Sequence, residues 1–521
     1  MSVVEEGGAR RRRGGRESKH AERAAALAED IRPIRPGLPG GWYKPLTDAG
    51  VARINEAVLE VLEDIGIGQA IPSCVEACTA LGAVYENGRL RFPRALVEDV
   101  VARAARNFPL CAQVPELDLH PGGSRVHFGT AGAAVHLVDP VSREYRESTL
   151  QDIYDAARMV EVLDNIHFFQ RPMVPRDLPD PTELDVNTLY ACLAGTRKHV
   201  GVSFTSPQRA QLCLEMLHVV AGGEARWRER PFVSNSNCHV VPPLKFGEDA
   251  SAVLEVCVRG GMPVLLLSAG QAGATAPAAI AGAVVQAVAE VLAGLVYVNA
   301  LVPGAPAIFG TWPFVSDLRT GSMSGGSGEQ ALLTAACGQM AQFYDLPGGS
   351  AAGMTDAKLP DMQSGFEKGI TEVMAGLAGT NLIYEAAGMH ASLLGFCLES
   401  LVIDNDVIGQ ALRCVRGIEV TEDSLSLEAM RRVCLTGPGH YLGDAQTIHL
   451  MQRDYVYPRV ADRKSPKEWE ELGSKDVLER AIEEKQRILS TVFPGHLPPA
   501  VDAELRARFP VRLPREAMRR G

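Results

Sequence analysis

Aromatic residues are scarce in this sequence. Phe, Trp and Tyr make up 6% of its 521 positions and only four are Trp, so several rings gathered in one place would need an explanation. Positive charge is also in deficit. Fifty-two Lys and Arg stand against 63 Asp and Glu, a net charge of −11, which disfavours broad contact with nucleic acid or an anionic membrane and tolerates a cationic ligand. The one basic run, Arg10 to Arg13 with Arg16, is nearly cancelled by Glu5, Glu6, Glu17 and Glu22. No apolar segment follows it, so it reads as a solvated arm and not as a secretory leader.

Long uncharged apolar runs are missing as well. The longest apolar stretch, around 276–302, is interrupted by Gln286 and Glu290 and reads as a buried helix running into a strand, not a membrane span. The histidines show neither HxH nor HExxH spacing, and the eleven cysteines are scattered and mostly embedded in apolar runs. This is the pattern of free thiols in a reducing, cytoplasmic setting, with no protein-bound metal expected. Cys74 and Cys78 are spaced i,i+4 but have no matching second pair. GxSxG and GxxxxGK[ST] are both absent, which argues against a serine hydrolase of the nucleophile-elbow type and a P-loop enzyme.

What the sequence does contain is a repeating alternation. Residues 1–41 read as a disordered arm ending in a Pro- and Gly-rich turn, and 42–149 as an α+β portion in which Thr47 and Asp48 open the first helix. Strand-like stretches are expected there at 111–119 and 126–138. From 150 to 421, short apolar runs alternate with helix-length segments. Strands are expected at 166–173, 199–205, 232–239, 263–269, 307–313, 348–354, 382–387 and 400–404. Eight strand-helix units in this length predict an α/β fold of the TIM (β/α)8 type, followed by a helical C-terminal wrap over 422–521.

In such a barrel, the polar residues just after each strand carry the chemistry. Phe169 and Arg171 stand at the end of the first of these runs, Asn237 and His239 at the end of the third, and Trp312 and Phe314 at the end of the fifth. Asp356, Lys358, Asp361 and Gln363 follow the sixth, and Tyr384 and Glu385 the seventh. Rings from several strands at one end would suit an alkylammonium ligand, because a cation is drawn to ring faces by about 0.5–2 kcal/mol each. The segment 356–363 also has a purely structural reading, with Asp361 or Ser364 capping the next helix.

Several runs resemble the trimethylamine methyltransferase family, in particular its members without pyrrolysine. They are Tyr43-Lys44-Pro45-Leu46, Gly273-Ala274-Thr275-Ala276-Pro277, Pro303-Gly304-Ala305-Pro306, Thr355-Asp356-Ala357-Lys358 with Asp361 and Gln363, and Leu401-Val402-Ile403-Asp404. The resemblance extends over about 42–489 and implies an enzyme that moves a methyl group from a methylated amine to the Co(I) of a corrinoid carried by a separate small protein. A neutral tertiary amine substrate would have to expel an amide anion under such an attack, a poor leaving group, and every residue of this chain is a standard amino acid. A quaternary ammonium substrate such as glycine betaine removes the difficulty, because it departs as a neutral amine.

On this reading Asp356, Lys358, Asp361 and Gln363 are catalytic. Asp356 and Asp361 orient the loop, Lys358 or Arg171 pairs a substrate carboxylate, and Phe169, Trp312 and Tyr384 contact the ammonium. Phe314, Asn237, His239 and Glu385 complete the substrate site. The partners are the corrinoid protein and a small amine, without nucleic acid or membrane, and homo-oligomerisation is left open. Two other readings of the same barrel stand beside this one: a lyase or hydrolase acting on a cationic metabolite, and a non-catalytic ligand sensor.

Overall fold

The computed structural model describes residues 32–519. The disordered arm expected at 1–41 lies outside the described residues as far as 31, and beyond that Leu38–Pro39 forms a short strand. The chain forms two compact units, one of residues 36–416 and 458–519, the other containing 417–457 together with 32–35.

In the larger unit the Thr47 hydroxyl accepts from the Gly50 amide and caps helix α1 (Asp48–Glu60). Helices α2 (Pro72–Ala80) and α3 (Arg94–Arg103) follow. The stretch 111–119, expected as a strand, makes only an isolated bridge from Leu110 to Leu119 around a 3-10 turn at Pro115–Leu117, where proline lacks the donor a ladder needs.

Eight parallel strands then close into a barrel. They are β1 (Arg125–Thr130), β2 (Phe168–Gln170), β3 (Val200–Val202), β4 (Val233–Asn237), β5 (Val264–Ser268), β6 (Ala307–Thr311), β7 (Gly348–Ala351) and β8 (Leu382–Tyr384). Closure runs through Leu382 paired with His127 and Gly129 paired with Phe168. The interior strands β5 and β6 are buried at every position, which is why they read as continuous apolar runs without alternation.

The expected number of strands is found, but its membership changes. The run at 400–404 is not a strand. It lies inside helix α11 (Leu398–Arg416), where Leu401, Ile408, Leu412 and Val415 share a buried face and Asp404 is buried with them. A short apolar run cannot be separated from a buried helical turn by period alone. Its place is taken by β1, so the barrel starts at residue 125 and not at 150. The C-terminal wrap divides as well. Residues 458–519 belong to the barrel unit, with α12 (Val477–Thr491) and α13 (Pro499–Arg508) packed on barrel helices. The segment 417–457 forms the separate small unit, held internally by Gln446 Nε2 donating to Asp423 O at 2.9 Å and Arg453 to Glu419 at 2.9 Å.

The loops after the strands begin their helices with capping side chains: Thr149, Asp180, Ser206, Ser327 and Asp361, each worth about 0.5–2 kcal/mol. The 22-residue helix Ile280–Leu301 is long and apolar enough to cross a membrane, yet it is largely buried inside the protein. It packs against β5 and β6 on one side and α1, α2 and α3 on the other, so both of its faces are apolar for reasons of packing.

Candidate active site at the carboxyl end of the barrel

Three rings cross the barrel interior. Phe168 on β2 lies edge-on to Tyr384 on β8 with centroids 4.9 Å apart, and Tyr384 lies 5.2 Å from Trp312, which directly follows β6. All three are at most 4% exposed. Room for them comes from residues without side chains: a Cβ on Gly129 would sit 2.2 Å from the Phe168 ring, and one on Gly349 would sit 2.9 Å from Tyr384. Because side chains alternate along a strand, Phe169 lies on the opposite face from Phe168. The ring row therefore contains Trp312 and Tyr384 as expected, and Phe168 in place of Phe169. Phe314 is buried on a short strand beside Gln271–Ala272, its amide donating to Gly270 O at 2.9 Å.

Polar groups at this end of the barrel lack partners. Arg171, directly after β2, has a buried Nε with none, and its other nitrogens make only long contacts, 3.3 Å to Met173 O and 3.5 Å to Ser203 Oγ. Burial pulls its pKa below the usual guanidinium range. Glu385, directly after β8, is 1% exposed, has φ of +61° and leaves Oε2 unpaired. Burial pushes its pKa up to about 8. The indole N–H of Trp312 is also buried without an acceptor. Cys238, directly after β4, has its thiol pKa raised by burial, with Arg171 lowering it and Glu385 raising it in smaller part. It keeps solvent-accessible surface although it is packed deep among protein atoms, as a side chain facing a cavity does.

Asn237 and His239 turn the other way. Asn237 Nδ2 donates to Ala250 O at 3.0 Å, and His239 Nε2 contacts Glu290 O at 2.9 Å. Both fasten β4 to the surrounding helices, and burial lowers the His239 pKa to about 4. Cys238, one residue away from each, had no signal in the sequence beyond its position at a strand end.

The segment after β7 forms a hydrogen-bonded clamp. Asp356 accepts from Ser324 Oγ at 2.6 Å, Gly325 N at 2.8 Å and Ser392 Oγ at 2.6 Å, tying three loops together. Buried Glu367 accepts from the Asp356 amide at 2.8 Å and from Gln363 Nε2 at 2.8 Å. Asp361 caps helix α10 (Met362–Leu377) through the Ser364 amide at 3.1 Å. Lys358 is exposed and donates to Asp356 O at 2.6 Å. A cleft of about 520 Å³ opens beside this clamp, bordered by Asp356, Ser324, Leu318 and the Asp317–Arg319 pair.

Behind the clamp, Lys368 and Asp404 form a buried ion pair at 2.5 Å. Glu372, one turn from Lys368, is buried with both oxygens unpaired, and burial holds its pKa far above the carboxylate range. A Cβ on Gly353 would lie 2.7 Å from Glu372 Oε1 and 2.6 Å from the Ala386 Cα, so this acid sits against the ends of β7 and β8. Sequence reasoning missed it, although Lys368 and Glu372 are spaced i,i+4 on a helix. Among the described residues, no group of three or more His, Cys, Asp or Glu is placed to hold a metal ion.

A family model for trimethylamine methyltransferase (MTTB) matches residues 12–514. The chain is 32% identical over 465 residues to trimethylamine methyltransferase MttB of Desulfitobacterium hafniense, covering 88% of this chain and 92% of that one. It is 31% identical over 469 residues to a glycine betaine methyltransferase of the same species, covering 89% and 96%. Among solved structures, the monomethylamine methyltransferase of Methanosarcina barkeri matches with a TM-score of 0.49 at 13% identity, over 91% of this chain and 92% of that one. With the family model spanning nearly the whole chain and relatives above 30% identity over most of it, this chain belongs to the trimethylamine methyltransferase (MTTB) family and is a methyltransferase.

Proposed function

We propose that the chain demethylates a carboxylated quaternary ammonium compound of the glycine betaine kind, with the Co(I) of a corrinoid on a separate protein as methyl acceptor. The observation that carries this reading is the combination at one end of the barrel: a row of three rings, a buried guanidinium with Nε unpartnered and a buried carboxyl with Oε2 unpartnered. A zwitterion with a methylated cationic head and a carboxylate tail complements both charges.

When its carrier protein docks, the corrinoid supplies the nucleophile. The residues present fit a corrinoid brought from outside. The nearby imidazoles are fully buried, His239 with Nε2 on Glu290 O and Nδ1 unpartnered, and His390 with Nε2 on Ser400 Oγ at 2.7 Å, so neither is presented to a docking carrier. The work of this chain is then to bind and aim the substrate. Trp312, Tyr384 and Phe168 provide the surface for the ammonium, and Arg171 pairs the carboxylate. Lys358 is the weaker candidate for that carboxylate, since it is exposed and already donates to its own loop. Asp356 and Asp361 hold the loops after β6, β7 and β8. The N–CH3 bond breaks with its electron pair left on nitrogen, so a neutral tertiary amine departs and no proton donor is required. Holding the reacting methyl in line supplies the rate.

The test is methylation of a reduced corrinoid protein by the purified chain with glycine betaine, carnitine, choline and trimethylamine. Methyl transfer from the carboxylated quaternary ammoniums is expected. Arg171→Met should weaken these by about 10–100-fold while leaving choline nearly unaffected. Silence with all the quaternary compounds, or transfer from trimethylamine alone, refutes the proposal.

A further inference from the structure

Glu385 has features that the fold does not use. Its φ of +61° is uncommon for a residue with a side chain, it is 1% exposed, and Oε2 has no partner. A carboxylate left in this place would be neither hydrated nor paired, which the protein avoids by keeping the carboxyl protonated.

The groups around it do not supply a counter-charge. Cys238, at the end of β4, is a thiol held neutral by burial. Among the described residues no ion pair joins Arg171 to Glu385, and burial is the one cause of the raised Glu385 pKa. Tyr384, the chain neighbour on β8, presents a neutral ring. Glu372 on α10, against the adjoining Ala386, is a second acid that burial holds far above the carboxylate range, and it brings no positive charge. The group that complements an unpartnered, buried carboxyl oxygen in these surroundings is a cation.

We propose that a quaternary ammonium ligand entering the barrel mouth displaces the proton of Glu385, so that the site acquires its negative charge only when the ligand arrives. This rests on the reading of the site given above. The O–H bond of the carboxyl breaks, the proton passes to solvent, and the carboxylate remains beside the ammonium; nothing is oxidised or reduced. A neutral ligand of the same shape has no means of driving this exchange. Affinity for the cation should therefore rise about tenfold per pH unit up to about pH 8 and then level, with about one proton released per ligand near pH 7.

The experiment is titration calorimetry of the full chain with glycine betaine and with its carbon isostere 3,3-dimethylbutanoate, in buffers of different ionisation heat between about pH 6 and 9. Expected are proton release with betaine, none with the isostere, and pH-independent betaine binding without proton release in Glu385→Gln. The wild-type pH series decides the matter even if the variant does not fold. Betaine binding with the same heat in every buffer and a flat pH profile overturns this inference alone. No binding of betaine at any pH overturns the reading of the site beneath it, and this inference with it.

Discussion

Substituting Gly129 by Ala adds one methyl group at a position remote from any charged group, yet it should disturb the ring row directly. The new Cβ would lie 2.2–2.4 Å from three atoms of the Phe168 ring, closer than carbon atoms can approach. β1 and β2 are paired at this point, so the backbone cannot yield cheaply and the ring must rotate or shift toward Tyr384, now 4.9 Å away. Overpacking of this kind costs about 1–3 kcal/mol, and loss of the edge-to-face contact about 0.5–1.5 kcal/mol more. A total of roughly 2–4 kcal/mol should appear in urea unfolding as a lower midpoint at unchanged slope. If the Phe168 face contacts the ammonium, its displacement removes about 0.5–2 kcal/mol of binding, a roughly 2–30-fold loss of betaine affinity in the calorimeter. Pairing Gly129→Ala with Phe168→Leu relieves the clash and should restore much of the stability without restoring affinity. A single variant with unchanged midpoint and unchanged affinity would refute the packing argument outright.

Two further substitutions test the scaffold of the site. Lys198 is buried and its Nζ donates to the carbonyls of Val160, Leu163 and Ile166 at 2.7, 2.9 and 2.5 Å; Val160 O and Leu163 O also accept from the Leu163 and Ile166 amides, so Lys198→Met should cost about 1–3 kcal/mol in chemical denaturation, chiefly by stranding the Ile166 carbonyl. Burial lowers the folded pKa of this lysine to about 8 from 10.5. The unfolded chain therefore binds more protons over that window, and wild-type stability should gain from this group as pH rises from 8 to 10.5, a gain the variant lacks. Asp356→Ala removes three short hydrogen bonds that join separate loops, and limited proteolysis near residues 317–325 should speed up while the barrel stays folded. Equal cleavage rates in the two proteins would mean that the clamp does not hold the loops.

The barrel was legible in the sequence because β5, β6 and their neighbours are sealed on both faces and so appear as compact apolar runs. The same property hid the orientation of their side chains. With no alternation to read, the runs do not separate Phe169 from Phe168, or Asn237 and His239 from Cys238, and in a strand a slip of one residue reverses the face. β1 reads as part of the N-terminal portion because only its long-range pairing with β2 and β8 makes it a barrel strand. Gathering Trp312, Tyr384, Arg171 and Glu385 at one end followed from strand ends alone. That Arg171 Nε and Glu385 Oε2 are buried without partners depends on what surrounds them, which no local pattern encodes.

The placement of the helix Ile280–Leu301 between the barrel and the N-terminal helices has a consequence for biosynthesis. At about 5–20 residues per second, α1–α3 leave the ribosome well before the helix they will cover exists, and they must wait roughly ten seconds or longer with their inner faces bare. When that helix emerges it carries apolar surface on both sides and resembles a membrane segment until the earlier helices close over it. The N-terminal layer thus acts within the chain as a dedicated shield, made in advance of the segment that most needs one.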